Sequence, residues 1–337
     1  DHIKKLLSNI HYDVKKSYYG CGLVIPDCLE NCRVLDMGCG SGMDVYCLSQ
    51  LVGESGFAIG VDMTDEQLKI ANRWRDWHKD KFKYQESNVE FKLGYIELLD
   101  ELDIEDNSLD VVVSNCVVNL SYDKRRVLQQ IFRILKNGGE FYFSDVYSDK
   151  RIPEKLKEDN VLWGECLSGA LYWNDFINLS KECGFTDVRL VNFNEININN
   201  DELEKKVGDI KFYSATYRLF KLDDVLEPDC EDYGQSVIYK GTIENCENSW
   251  QMDMHHTFEK DVTNRVCGNT WNMLKESRFE KHFEFIGDFS KHYGIFDGCG
   301  KNMPFTGTNT DANACNKDAN ACNKDGSCNK GNSNNCC

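Results

Sequence analysis

Residues Val34 to Gly42 read V-L-D-M-G-C-G-S-G, an apolar run that ends in an acid and breaks into three glycines spaced two apart. Gly38, Gly40 and Gly42 carry no β-carbon. They let the chain turn tightly and let a ligand lie against bare N–H groups at the start of a following helix. The spacing narrows the ligand: a dinucleotide fingerprint places its third glycine three residues after the second, whereas here Gly42 comes two after Gly40, with Asp36 two before Gly38. The loop is read as a site for a nucleoside-bearing cofactor, against the plainer alternative of a ligand-free glycine turn.

A second apolar strand, Phe57 to Val61, closes on Asp62, twenty residues past Gly42. An acid there is placed to accept hydrogen bonds from both ribose hydroxyls, and the spacing is that of a β-α-β unit. The alternative for Asp62 is an ordinary turn acid. Thr64 and Gln67 have the pattern of a capping box that starts a helix to about Lys81, so Asp62 and Met63 sit at a strand's carboxyl end. Val89 to Ile96 and Leu109 to Ser114 read as further buried strands. They end in Ile96-Glu97 and Asn115-Cys116-Val117, where ligands of open α/β sheets gather. Glu97 is a candidate for the adenine amino group, and Asn115 with Cys116 for the other end of the cofactor. The D-x-G-x-G-x-G form resembles motif I of class I S-adenosylmethionine methyltransferases.

A chain of 337 residues, 41% hydrophobic, can bury a sizeable core and is long enough for a domain with an appendage. Its 39 basic and 56 acidic residues leave a formal charge of −17, which opposes binding to nucleic acid and to anionic membranes. Apolar stretches such as Val111 to Leu120 are too short to span a bilayer, so a soluble protein is expected. The chain opens on Asp1 rather than Met. Its natural start is expected upstream, where any targeting segment would lie.

Cysteine is the compositional outlier, with 17 residues. Twelve fall between Cys21 and Cys299 at irregular spacings, without the C-x-x-C pairs of a structural zinc site. Reduced thiols in the cytoplasm are the expectation. The other five crowd a tail in which D-A-N-A-C-N-K occurs twice, and its low hydrophobicity predicts disorder over 301–337.

Between these segments, Asp123 to Lys136 is periodic as a helix, with Gly138-Gly139 as its stop. Glu140 to Tyr147 is a fifth strand, a helix follows near Asn174 to Cys183, and strands around Thr186 to Phe193 and Lys211 to Leu222 bring the count to seven. Acidic Asp223 to Asp232 reads as a linker. Beyond it a small α+β unit is expected, with Trp250, Met252 and Met254 alternating on one strand face and a helix from about Thr270 to Phe283. His255 and His256, adjacent on that strand, would point to opposite faces, which disfavours a shared metal.

Several blocks carry a more specific resemblance: Y-Y-G-C-G at Tyr18 to Gly22, Asp36 to Gly42, Asp62-Met63-Thr64, Val113 to Leu120, F-S-D-V-Y at Phe143 to Tyr147, and L-W-G-E-C-L at Leu162 to Leu167. Together they resemble eukaryotic arsenite methyltransferases over about residues 1–300. The resemblance implies a Rossmann-like, seven-stranded class I methyltransferase sheet over 1–224, a small C-terminal α+β domain over 225–300 and the Cys-rich tail. It further implies methyl transfer from S-adenosylmethionine to arsenite and methylarsenite in arsenic detoxification, with glutathione or thioredoxin as reductant. Cys21 and Cys166 match substrate cysteines of the family, and Tyr19 a residue beside the cofactor. Asp36, Gly38, Gly40, Gly42, Asp62, Met63, Ile96, Glu97, Asn115, Cys116 and Val117 complete the expected cofactor site.

The chemistry suits such residues. Trivalent arsenic is soft, so thiolates displace its hydroxyls and hold it as a pyramid with a free lone pair, the nucleophile of a single displacement. Two departures stand out. The family has a further cysteine upstream of Y-Y-G-C-G, before this chain begins. Its G-D-C reads Gly208-Asp209-Ile210 here, so an isoleucine replaces an arsenic-binding thiol. Two alternatives therefore stay open: methylation of another small molecule, and an arsenical-binding protein whose activity Ile210 has reduced.

Overall fold

The apolar runs of the first two thirds form β1 (Arg33–Met37), β2 (Phe57–Asp62), β3 (Val89–Leu93), β4 (Leu109–Asn115), β5 (Leu135–Ser148), β6 (Leu171–Tyr172), β7 (Val188–Ile196) and β8 (Phe212–Phe220). The computed structural model describes residues 2–18 and 22–299. Tyr19, Cys21 and the expected disordered tail lie outside the described residues. The strands make one sheet in the order β3-β2-β1-β4-β5-β8-β7, with β6 beside β5. β1 is parallel to β2 and β4, and β4 to β5, while β8 runs antiparallel between β5 and β7. Seven strands lie on this path, as expected, and the two-residue β6 is an addition.

Both faces of the sheet are covered, which is why its inner strands are apolar along their length. Leu35 and Met37 pack on one side against Val127, Leu128, Ile131 and Ile134 of the helix Lys124–Ile134. Val34 packs on the other against Leu48 and Val52 of the helix Met43–Val52. Asp36 shares Val34's face because strand side chains alternate, so it too is buried.

Local signals misplace several boundaries. The helix expected over 64–81 is two, Asp65–Arg73 and Arg75–Phe82, broken at Trp74. Thr64 makes no side-chain cap; the turn is held instead by Asp62 Oδ1, which accepts from Thr64 N at 2.8 Å. β3 stops at Leu93, and Ile96–Glu101 is a 3₁₀ helix. Gly138 and Gly139 do not end a helix but lie within β5 after a helix that ends at Ile134. A β-carbon on Gly138 would meet the Glu276 carbonyl oxygen at 2.1 Å, so close packing from another part of the chain accounts for it.

The remaining strands are β9 (Glu231–Asp232), β10 (Ser236–Tyr239), β11 (Ser249–Asp253), β12 (His256–Glu259), β13 (Thr263–Arg265), β14 (Phe283–Ile286) and β15 (Gly294–Ile295). They pair as β13-β10-β14, β11-β12 and β15-β9 around a core that includes Trp250, Met252, Phe258 and Phe279. Trp250 and Met252 are buried as expected, but Met254 is exposed, since β11 ends at Asp253 after a register shift. His255 lies in the turn and His256 begins β12, so they do not share a strand. The helix expected from Thr270 is Gly268–Lys275, and Phe283 starts β14. The acidic stretch read as a linker contributes β9.

One buried carboxylate joins the large sheet to this part. Glu140 on β5 is fully buried, with Arg218 Nε at 2.6 Å and Arg278 Nη2 at 2.5 Å, as ion pairs rather than well-aligned hydrogen bonds. The Arg218 guanidinium also lies over the rings of Tyr142, Trp250 and Phe279. Arg278 Nε donates to the Asp27 carbonyl at 2.9 Å. Replacing Arg278 with alanine is expected to lower stability by about 3 kcal/mol, because removing one partner leaves a buried charge undercompensated. Urea unfolding followed by tryptophan fluorescence measures it; a loss below about 1 kcal/mol would show the pairing to be dispensable.

Candidate functional site

In a sheet ordered β3-β2-β1-β4-β5 the chain leaves β1 and β4 in opposite directions, which opens a crevice at their carboxyl ends. The glycine loop lies on one side of it and Asn115-Cys116-Val117 on the other. Gly38, Gly40 and Gly42 all have positive φ, at 72°, 51° and 84°. Their surroundings differ. A β-carbon on Gly38 would strike Val117 at 2.3 Å and one on Gly42 would strike Phe91 at 2.8 Å, whereas Gly40 has nothing within 4 Å. The first and third glycines therefore serve packing, and the second bares backbone to open space.

Asp62 ties this loop to β2. Its Oδ2 accepts from Gly40 N and its Oδ1 from Thr64 N, each at 2.8 Å. Lone pairs remain on both oxygens for incoming hydroxyls. Met63 beside it and Tyr95 across the loop are exposed, while Ile96 is buried and Glu97 half-buried. These groups make an open, partly apolar ledge with acids at its margins.

Beneath the loop lie two acids, of which sequence reading found one. Asp36 and Asp44 are both buried, and neither Asp36 Oδ2 nor Asp44 Oδ1 has a hydrogen-bond partner among the described residues. Burial, reinforced by the neighbouring carboxylates Asp44 and Asp62, holds Asp36 well above the usual carboxylate range. Burial likewise raises Asp44 to about 7, against a hydrogen bond from Asn115. Asp44 sits in the first turn of Met43–Val52. An acid inside the apolar run M-D-V-Y-C-L was the available signal for it. Orphaned buried carboxylate oxygens next to a bare-backbone cradle fit a cationic, nucleoside-bearing group such as S-adenosylmethionine.

The β4 edge gathers the remaining candidates. Asn115 Nδ2 donates to the Tyr18 hydroxyl at 3.2 Å and to the Gly22 carbonyl, and Tyr18 OH donates to that carbonyl at 2.6 Å. The residues flanking Tyr19 and Cys21 are thus both fastened to Asn115. Cys166 Sγ reaches the carbonyl oxygen of Cys116 at 3.5 Å. Cys116 and Cys166 both have left-handed backbone, φ 57° and 58°, a conformation that disfavours non-glycine residues and clusters at functional sites. Two contacts seat the Cys166 segment: Trp163 stacks on Tyr122 at 5.1 Å, and Gly169 leaves no room for a β-carbon, which would meet the Asn119 carbonyl at 2.3 Å. Ile210 packs with Cys166, Ile196 and Leu203 around one small apolar cluster. It stands in Cys166's surroundings.

Comparison with known proteins fits these features. A methyltransferase domain family matches residues 29–184, and an arsenite methyltransferase C-terminal domain family matches residues 233–337. The arsenite methyltransferase of Aquipseudomonas alcaligenes is 56% identical over 303 residues, 90% of this chain and 87% of that protein. The human arsenite methyltransferase is 49% identical, over 84% of this chain and 74% of that protein. An arsenic (III) S-adenosylmethionine methyltransferase from Chlamydomonas reinhardtii superposes with a TM-score of 0.86 at 47% identity, covering 88% of this chain and 99% of the other. The large sheet is accordingly that of the class I methyltransferases, with extra C-terminal sheets. No helix among the described residues is long and apolar enough to cross a membrane.

A carboxyl raised by burial should ionise when a cation binds beside it, releasing a proton. Below pH 7 the affinity for S-adenosylmethionine is expected to fall by up to about tenfold per pH unit. Calorimetry in buffers of differing ionisation enthalpy reads the released proton, and Asp44→Asn should flatten the profile. A pH-independent affinity in the wild type would remove Asp44 from the site.

Proposed function

The chain belongs to the arsenite methyltransferase family, and from that premise we propose that Cys166 is a thiolate ligand that holds trivalent arsenic at the glycine-loop crevice. The observation that carries this reading is the contact of Cys166 Sγ with the Cys116 carbonyl, at the end of the strand that flanks the crevice. The enzyme's donor is S-adenosylmethionine. Asp62 would hold its ribose hydroxyls, Gly40 its backbone-facing side, Met63, Ile96 and Glu97 its base, and Asp36 with Asp44 its positive charge. Tyr19, Asn115, Cys116 and Val117 would close the remaining side. When bound, it supplies an electrophilic methyl group to the arsenic lone pair.

The chain's own work is to bind and orient. The Cys166 thiol gives its proton to an arsenic hydroxyl, which leaves as water, and an As–S bond replaces the As–O bond. Cys21, one residue before the Asn115-held Gly22, is proposed as a second ligand. Arsenic fixed by two or more sulfurs keeps its lone pair directed, and such orientation reaches effective molarities of 10⁵–10⁸ M in favourable cases. No general base is required, because each thiol's proton leaves with the departing water. The neutral arsenous acid is not repelled by the acidic surface. Each transfer raises arsenic to the pentavalent state, so a further round needs two electrons, which glutathione or thioredoxin would supply by forming a disulfide. Cys28, Cys32, Cys39, Cys47, Cys183 and Cys246 are free thiols, which supports a reducing, cytoplasmic setting and with it a role in arsenic detoxification.

Arsenite and methylarsenite are the proposed substrates. Ile210 leaves the crevice one thiol short of the family pattern, which supports a site completed by an external thiol or a cysteine outside the described residues. Cys166→Ser is expected to weaken arsenite binding by more than the ~10–100-fold that loss of an outer-shell partner costs, and Ile210→Cys to tighten it. Titration with methylation assays on both arsenicals checks this; unchanged binding in Cys166→Ser would reject the assignment.

A further inference from the structure

Three cysteines that sequence spacing keeps apart meet in the C-terminal part. The Sγ atoms of Cys230, Cys267 and Cys299 lie within 4.8 Å of one another. Each is delivered by a different device. Cys230 precedes β9, which pairs with β15 at Gly294↔Asp232, and Phe296 N donates to the Cys230 carbonyl at 2.7 Å, so Cys299 follows a few residues behind. Cys267 caps the helix Gly268–Lys275, its sulfur accepting from Thr270 N at 3.5 Å. Cys267 is buried, and the other two are half-buried.

Polar groups surround the deepest sulfur. Arg189 Nη2 donates to Cys267 Sγ at 3.8 Å, and Thr270 Oγ1 lies 3.3 Å away. Arg189 is itself fixed by Asp187 at 2.7 Å and Asp253 at 3.1 Å. Three thiols converging beside a guanidinium and a threonine hydroxyl are the ligand set of a soft ion.

We propose that Cys230, Cys267 and Cys299 form a second site for trivalent arsenic, distinct from the methyl-transfer crevice. It rests on the preceding reading only for the choice of ion. Structural zinc takes four protein ligands, and among the described residues this group contains no fourth Cys, His, Asp or Glu. A pyramidal metalloid takes three. Sulfur sits about 2.3 Å from a soft ion such as zinc, so the half-buried Cys230 and Cys299 need only small side-chain rotations to close on one. Arg189 stands on β7, three strands across from β4, roughly 14 Å at the usual strand spacing.

Binding replaces three As–O bonds by three As–S bonds. Each hydroxide leaves as water, taking the proton of its thiol. Arsenic stays trivalent and no oxidant is consumed. Three sulfurs match the three exchangeable oxygens of arsenite, while methylarsenite offers two, so the site favours the unmethylated ion.

The test is alkylation mapping of the reduced full-length chain by mass spectrometry. Arsenite at near-equimolar concentration is expected to slow iodoacetamide labelling of Cys230 and Cys299 together by at least ~10-fold, and methylarsenite to protect them less. Cys267→Ser should restore labelling at both while protection of Cys166 persists; Cys230→Ser repeats the test if the first variant does not fold. Equal labelling with and without arsenite, protection that survives Cys267→Ser, or protection by zinc at lower concentration than arsenite would each overturn the proposal. Loss of protection at Cys166 alone would instead count against the crevice assignment and leave this site standing.

Discussion

Pairing β1 with β2 on one side and β4 on the other sends three loops out along a single edge of the sheet, and the glycine loop, Asp62 and the Asn115-Cys116 end of the crevice follow from that register. Asp36 and Gly38 leave β1, Asp62 leaves β2, and Asn115 with Cys116 leaves β4. Short backbone bonds then lock the loops to one another: Gly38 N and Cys39 N both donate to the Val61 carbonyl, and Cys116 N to that of Ser144. A displaced strand would misplace the glycine loop, Asp62 and the Cys166 contact at once. Parallel pairing is thus both the architectural and the chemical constraint.

Much of this was legible in the sequence because it is local. An apolar strand, a glycine turn, an acid at the end of the next strand and a periodic helix are each encoded within a dozen or so residues. What escaped reading is what packing decides. Gly138 and Gly139 look like a helix stop, yet the Glu276 carbonyl explains the first of them, from far along the chain. Thr64 looks like a cap, but the Asp62 carboxylate takes over the turn. Asp44 passes for a helix-surface acid until the sheet buries it. The convergence of Cys230, Cys267 and Cys299 is invisible to spacing rules, since the antiparallel pairing of β9 with the distant β15 and a helix cap bring them together rather than a knuckle.

The two left-handed cysteines show the same contrast. Nothing in L-W-G-E-C-L announces a positive φ at Cys166, nor does S-N-C-V at Cys116. Both follow from closing one loop onto another, with Gly169 against Asn119 and Trp163 against Tyr122 as the fixed points. The conformation costs of order 1 kcal/mol at each residue and persists only where the surroundings over-determine it. Ile210 enters this setting as apolar filling of the cluster around Cys166.

Glu140 carries a consequence beyond its own contacts. Its two guanidinium partners come from opposite ends of the latter half of the fold, Arg218 from the large sheet and Arg278 from the C-terminal part. Sliding one layer over the other would strand an anion in hydrocarbon, so the layers are latched rather than merely stacked. Hinge bending between the two parts would have to break one of these buried pairs, which the rim loops of the crevice do not share.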